Sequence, residues 1–164
     1  MRHDGKCYHQ GGKFEIARFL HLKSRKSQIG PVRAGPQAAM ATNTATGEVI
    51  HRRLIDFGAR TTQVAKRLPR TNEGRYISQQ LIRSGLAAAP NYAEARAAES
   101  RADFIHKLRI ALKELNETKS WLEQIVANGL FSRDKMAAII AENQELCWII
   151  AASVRTARGL VRPI

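Results

Sequence analysis

The hydrophobic pattern of the chain is most regular between residues 101 and 128, where apolar or small side chains recur at alternating steps of four and three residues. This spacing returns a side chain to the same helix face about every 3.5 residues, as in helix bundles and coiled coils. The positions of this seam are Phe104, Leu108, Ala111, Leu115, Thr118, Leu122 and Ile125. The pattern predicts a long helix that packs against other helices along one side.

Helical periodicity also runs through the stretch before this seam. A first helix is predicted over residues 49–68, because Pro69 cannot continue it. Its apolar stripe consists of Ile50, Leu54, Phe57, Val64 and Leu68. A second helix begins near Glu73 and carries a run of small residues. We expect Gly85 and the alanines that follow it to let a neighbouring helix approach closely.

A last helix is predicted from Ser132, which suits a helix N-cap, to Gly159. Its seam consists of Met136, Ile139, Ile140, Asn143, Leu146, Cys147, Ile150, Val154 and Ala157. Short connections between helices of this length favour antiparallel neighbours, and no strand or hairpin pattern competes with them. The predicted fold is all-α, an antiparallel up-down-up-down four-helix bundle over residues 49–160.

The part of the chain before the bundle differs in composition. Residues 1–48 carry no sustained period and are rich in glycine, hydroxyl-bearing and basic residues. Such a segment buries too little apolar surface to order itself, so we predict a disordered or weakly structured basic extension. Met40 opens a shorter, self-consistent chain. Residues 1–39 are therefore interpreted either as an upstream extension of the reading frame or as a basic arm that binds RNA.

The number of cysteines and the length of the apolar runs indicate the cellular compartment of the protein. The two cysteines, Cys7 and Cys147, do not support a disulfide scaffold. The longest mostly apolar run, residues 146–154, is far shorter than a membrane span. Residues 14–22 are interrupted by two charged side chains and make a poor signal-peptide core. We expect a cytoplasmic protein without a membrane partner.

The charge of the chain is strongly positive. Twenty-seven Lys and Arg against fourteen Asp and Glu give a formal net charge of +13. A surplus of this size attracts polyanions such as RNA or DNA, although it also suits a solvated surface that keeps a protein soluble. With aromatic residues at 6% of the chain, contact through phosphates is expected rather than base stacking. The predicted nucleic-acid-binding residues are Arg52, Arg53, Arg60, Lys66, Arg67, Arg70, Arg155, Arg158 and Arg162.

Three segments of the bundle closely resemble a known family. They are QLIRSG at 80–85, PNYAEA at 90–95 and SRADFIHKLRIALKELNETKSWL at 100–122. The family is the bacterial four-helix-bundle family labelled the intervening-sequence protein of large-subunit ribosomal RNA genes, and the likeness extends over roughly residues 50–160. The resemblance implies a four-helix subunit that assembles into a ring-shaped homopentamer. The related accessory protein of diversity-generating retroelements implies a reverse transcriptase, or another nucleic-acid-processing protein, as a partner.

Polar residues inside the helical patterns invite a catalytic interpretation and a structural one. They are Arg83, Asn91, Glu94, Lys107, Glu114, Glu117 and Asn143. A di-metal site in a bundle needs two Glu-x-x-His pairs, and Asp103-x-x-His106 is the only approximation. Near the N-terminus, the His3, Asp4, Cys7 and His9 cluster lacks the spacing of metal sites. We expect no enzymatic activity, metal or cofactor, and interpret the polar set as cross-helix hydrogen bonds that define register.

Two functions from different classes follow from these patterns. The first is a non-enzymatic homo-oligomeric scaffold, pentameric by resemblance, whose basic surface contacts nucleic acid or a nucleic-acid-processing partner. The alternative is a protein–protein interaction module that binds an acidic partner and has no role with nucleic acid. In either case Trp121 and Trp148 are interpreted as anchors of the core or of a subunit interface.

Overall fold

The computed structural model describes the backbone of residues 36–159 and the side chains of residues 46–159. Within these residues the regular secondary structure is entirely helical. The four helices are α1 (Pro36–Lys66), α2 (Asn72–Arg96), α3 (Arg101–Ala127) and α4 (Arg133–Ala157). The all-α prediction is therefore confirmed.

The helices form an up-down-up-down bundle. Each helix packs along the next one in the chain, whereas α1 and α4 make a smaller contact that closes the bundle. The α1–α2 and α3–α4 turns share one end, called the upper end. The α2–α3 turn and the C-terminal end of α4 share the lower end, where Arg101 Nε donates to the Ala157 carbonyl oxygen at 2.5 Å. Short turns and antiparallel packing thus follow the expected topology.

The first helix begins earlier than the sequence pattern predicts. Residues 36–48 were expected in the basic extension, yet they continue α1, which starts at Pro36. Proline suits the first position of a helix, and the residues that follow include several good helix formers. Residues 36–48 lack an apolar stripe, so the hydrophobic periodicity of the sequence does not reveal this part of the helix. Residues 1–35, and with them the rest of the predicted extension, lie outside the described residues.

The core forms along the predicted seams. All seven seam positions of α3 are buried, and in α4 only Ile140 of the predicted seam stays half-buried. Two buried hydroxyl-bearing residues, Ser84 and Thr61, lie outside the predicted apolar seams. Ser84 of α2 accepts a hydrogen bond from Thr118 of α3 at 3.0 Å. Thr61 of α1 is also fully buried, and it donates to the Gly58 carbonyl oxygen at 2.8 Å. Small hydroxyl side chains that satisfy their own polar atoms can therefore fill places in the core.

The closest approach between α1 and α2 is made at Gly85, as its small size predicts. A Cβ atom at Gly85 would overlap the Thr61 hydroxyl and stand 3.0 Å from the Thr61 Cβ. A Cβ atom at Gly58 would stand 3.0 Å from the Gly85 carbonyl oxygen. The two glycines therefore set the distance between these helices.

Candidate nucleic-acid interface

The outer side of α1 carries a row of exposed cations. Arg52, Arg60, Lys66 and Arg67 fall on the side of the helix opposite to the buried stripe, and all four are exposed. None of them forms an ion pair with another residue in the described part of the chain. The acidic residues on the same side are Asp56 and Glu48, and Glu48 is paired with Arg96 of α2. This row, called the α1 basic face, keeps its charge available to an outside partner.

The turn after α1 continues the cationic surface and is tightly constructed. Leu68 is buried, while Arg70 is exposed two residues later. The Thr71 hydroxyl accepts a hydrogen bond from the Gly74 N–H at 3.2 Å, which caps the start of α2. A Cβ atom at Gly74 would overlap the Pro69 carbonyl oxygen, so the turn lies directly on the first turn of α2. These contacts hold Arg70 beside the C-terminal end of α1.

Arg53 differs from the other predicted binding residues, because it is already paired. Its guanidinium group lies 3.1 Å from a carboxylate oxygen of Glu142 and 3.0 Å from one of Glu145, both on α4. The hydrogen bond to Glu145 raises the pKa of Arg53, partial burial opposes this increase, and the bond to Glu142 adds to it. The Arg53 side chain therefore joins α1 to α4 across their small contact and is not free for phosphate.

The other predicted cations lie at the opposite end of the molecule. Arg155 and Arg158 are exposed at the lower end, whereas Lys66, Arg67 and Arg70 lie at the upper end. The ends are separated by α4, whose 25 residues span about 37 Å at about 1.5 Å per residue. This distance greatly exceeds the screening length of about 8 Å at physiological ionic strength. The cations of the upper end are thus separate from those of the lower end, Arg52 lies between them beside Arg53, and Arg162 lies outside the described residues.

The predicted polar network lies mainly at the surface of the α2–α3 contact. Arg83 pairs with Glu117 and stands 4.0 Å from Glu114, and Lys107 pairs with Glu94. The Arg83–Glu117 and Lys107–Glu94 pairs are half-buried or exposed, so each contributes little to stability. The Glu114 side chain is only 12% exposed, and its Oε2 atom is buried without a hydrogen bond within the described residues.

The two asparagines of the predicted network behave differently from each other. Asn91 bonds within its own helix, where its side-chain N–H donates to the Ala87 carbonyl oxygen at 2.8 Å. Asn143 is fully buried, and its side-chain N–H donates to the Leu115 carbonyl oxygen of α3 at 3.1 Å. Of the predicted network, Asn143 alone is a completely buried cross-helix contact.

Side chains with catalytic potential lie in unfavourable surroundings. Burial raises the pKa of the Cys147 thiol, and nearby Lys119 only partly opposes this increase. Burial also raises the pKa of Tyr92 to about 12. Among residues 46–159, no group of three or more His, Cys, Asp or Glu side chains is placed to hold a metal ion. His106 is exposed on the outer side of α3.

Exposed aromatic rings are a feature that the sequence pattern did not reveal. Trp148 is 63% exposed, so the interpretation of this residue as a core anchor of the subunit is wrong. Tyr76 is 56% exposed, and its ring meets the half-buried Trp121 edge to face with the ring centroids 5.7 Å apart. The signal that identifies Trp148 is its position one residue beyond the α4 seam, which turns it towards the outside.

The outer side of α4 is unusually apolar. Ala137, Ala138, Ala141 and Trp148 are exposed there, and Ile149 is half-buried beside them. By length and composition alone α4 is apolar enough to cross a membrane, and 39% of its most apolar window is buried in the bundle. This match is weak support for a membrane span, because core helices of soluble proteins pass the same test. Within residues 46–159, much of this apolar window is thus exposed or half-buried.

Comparisons with known proteins agree with this architecture. The sequence model of the 23S rRNA-intervening sequence protein family matches residues 49–152. Among solved structures, the chain is similar to a protein of unknown function from the S23 ribosomal protein family of Bacteroides thetaiotaomicron VPI-5482. The two are 34% identical with a TM-score of 0.61, over 66% of this chain and 97% of the other. Curated proteins yield no significant match.

Proposed function

Because this chain belongs to the 23S rRNA-intervening sequence protein family, we propose that it is a non-enzymatic, homopentameric scaffold whose α1 basic face binds RNA through phosphates. The observation that carries the proposal is the row of exposed, unpaired cations on α1 and the following turn. A binding surface needs charge that the subunit does not use internally, and within residues 46–159 only Arg53 of the predicted α1 cations is committed to an internal pair.

Phosphate contact determines how the complex should respond to salt. Each cation that neutralises a phosphate releases condensed counterions. The logarithm of the association constant therefore falls linearly with the logarithm of the salt concentration. Such contacts position a protein on nucleic acid without reading its sequence. We therefore propose weak sequence preference and strong salt dependence for the α1 basic face. A nucleic-acid-processing protein that carries RNA would be a further partner of the same assembly.

Reversing the charge of Arg60, Lys66 and Arg67 together to Glu is expected to weaken RNA binding at least about tenfold at low salt, or about 1.4 kcal/mol. All three side chains are exposed, so the bundle should remain folded. Filter binding of a labelled RNA duplex across a salt series measures both the affinity and the slope. The variant should also show a shallower salt dependence than the unmodified chain.

The matched control reverses three exposed cations elsewhere, namely Arg109, Lys113 and Arg158, to Glu. It changes the net charge by the same amount but leaves the α1 basic face intact. An equal loss of affinity in the control would mean that net charge, not this face, attracts RNA. If the unmodified chain does not bind RNA even at low salt, the proposal fails. An acidic protein is then the better-supported candidate for the partner.

Assembly into a homo-oligomer is supported by the apolar side of α4 that residues 46–159 leave exposed. An exposed Trp supplies a large apolar anchor of the kind frequent at the centres of interfaces, and the small alanines beside it leave room for a second helix. The acidic Glu145 and the basic Arg155 on the same helix are exposed towards the rim of this side. We propose that α4 packs on a second copy of the chain in the pentamer.

Replacing Trp148 by Glu is expected to weaken self-association at least about tenfold, because a charge would be buried where an apolar ring packed. Light scattering over a concentration series measures the molar mass of each variant. Leu86→Glu is the control, since Leu86 is 49% exposed on α2, a different side of the bundle. An unchanged mass for Trp148→Glu would exclude α4 as the interface, and a monomeric unmodified chain would exclude the assembly.

A further inference from the structure

We infer that the exposed ring of Tyr76, beside the cationic α1–α2 turn, is a stacking platform for a base of single-stranded nucleic acid. The inference rests on the proposed function and deepens it, because it names the form of nucleic acid that the upper end selects. Sites for single strands combine cations that follow the backbone with aromatic side chains on which bases stack. The upper end of this bundle contains both.

The aromatic part of the site is exposed and held in place. Tyr76 is 56% exposed, although the next residue, Ile77, is buried in the core. Its ring rests edge to face against Trp121 of α3, with the ring centroids 5.7 Å apart. The Trp121 indole N–H donates to a Glu117 carboxylate oxygen at 3.4 Å, and Glu117 is paired with Arg83. A ring supported in this way loses little further freedom when a base stacks on it.

The cationic part lies in the same short segment of chain. Residues 66–76 contain Lys66, Arg67, Arg70 and Arg75 against the single acid Glu73, which leaves four minus one, a net charge of +3. All of these side chains are exposed.

The backbone of this segment is fixed from both sides. The Ser78 hydroxyl donates to the Ala65 carbonyl oxygen at 3.2 Å and joins the beginning of α2 to the end of α1. The close approach of Gly74 to the Pro69 carbonyl group packs the intervening turn directly on the first turn of α2. Arg75 bonds Asn72 at 2.9 Å, which orients its guanidinium group one residue before Tyr76. The backbone positions that carry the cations and the ring are therefore fixed relative to one another.

This combination distinguishes single strands from duplexes. Cations alone bind either form, because both present phosphates. A ring at the edge of the cationic segment adds a contact only with an unpaired base, which can unstack from the neighbouring bases and stack on the ring. At the lower end, the exposed ring on the same side of α4 as Arg155 is Trp148, seven residues earlier, and the proposed packing of α4 on a second copy would cover that ring. The single-strand preference is thus assigned to the upper end.

The test compares the full-length chain with Tyr76→Leu and Tyr76→Phe. The probes are a fluorescently labelled oligouridine of about 12 nucleotides, within the usual range of single-strand sites, and an RNA duplex of the same length. Anisotropy titrations at low salt measure both affinities for each variant. We expect Tyr76→Leu to weaken binding of the oligouridine about tenfold, and to leave duplex binding unchanged. Tyr76→Phe, which keeps the ring, should bind both probes like the unmodified chain.

Each other outcome contradicts the inference in a recognisable way. Equal oligouridine affinity for Tyr76→Leu and the unmodified chain would exclude the stacking platform. Parallel loss of oligouridine and duplex binding would indicate a general disturbance of the turn and would also overturn it. In both cases the charge reversal on α1 should still weaken binding, so the proposed function would stand. An unmodified chain that binds neither probe would remove both proposals together.

Discussion

Replacing Asn143 by Asp is expected to lower the free energy of unfolding by about 3–5 kcal/mol at neutral pH, the usual cost of an unpaired buried charge. The Asn143 side chain is fully buried, and its N–H group donates to the Leu115 carbonyl oxygen at 3.1 Å. An ionised Asp at this position has no N–H to donate and places its charge against that carbonyl oxygen. The nearby Cys147 thiol, 3.9 Å from the side-chain oxygen, is too weak a donor to compensate.

The cost of this substitution should depend on pH in a defined direction. Burial disfavours the ionised form, so the pKa of the introduced Asp is higher in the folded chain than its unfolded value of about 3.9. Below about pH 3.9 the carboxyl group is protonated in both states and can donate to Leu115. As the pH rises from that value through the raised folded-state pKa, stability is lost.

Urea denaturation at neutral pH and near pH 4 measures this effect at a fixed protein concentration. Asn116→Asp is the control, because Asn116 is an exposed asparagine on α3. It should change stability by less than about 0.5 kcal/mol, as is usual for surface substitutions. If both variants lost the same stability at neutral pH, or if the Asn143 variant gained nothing on acidification, the buried contact to Leu115 would be incorrect.

Replacing Gly85 by Val is expected to lower the free energy of unfolding by about 3 kcal/mol, at the upper end of the range for overpacked cores. The Cβ atom alone would overlap the Thr61 hydroxyl, and the two methyl groups would extend the overlap into α1. The intrinsic helix propensity of valine is better than that of glycine by roughly a few tenths of a kcal/mol, so propensity alone would raise the free energy of unfolding. The sign of the change therefore reports on the contact between α1 and α2.

Two further variants separate packing from propensity. Gln79→Val introduces the same side chain at an exposed position of α2 and should change stability by less than about 0.7 kcal/mol. Thr61→Ala removes the hydroxyl and methyl groups that face Gly85. In the double variant Thr61→Ala with Gly85→Val, part of the loss should be recovered, giving a coupling energy of at least about 0.5 kcal/mol. Additive effects of the two substitutions would show that they do not touch.

The sequence by itself determined which side of each helix is buried. In α3 the seam from Phe104 to Ile125 is buried at every predicted position, and in α4 the seam from Met136 to Ala157 departs only at Ile140. Burial in a bundle follows helical periodicity, so a single sequence carries this information. The close approach at Gly85 was also predictable, because only a residue without a side chain permits it. The start of α1 at Pro36 was missed, since residues 36–48 have helix propensity without periodicity.

Only the tertiary structure decided which polar and aromatic residues are free. Arg53 is paired because Glu142 and Glu145 lie opposite it, although they are 89 and 92 residues away in the chain. The partner of Tyr76 is Trp121 from another helix, and Trp148 is exposed because none of the helices within residues 36–159 covers it. Periodicity gives the buried side of a helix but not which neighbours flank that side or how far the helices are shifted along each other. Those two quantities determine every lateral contact, and with them which cations and rings remain available for a partner.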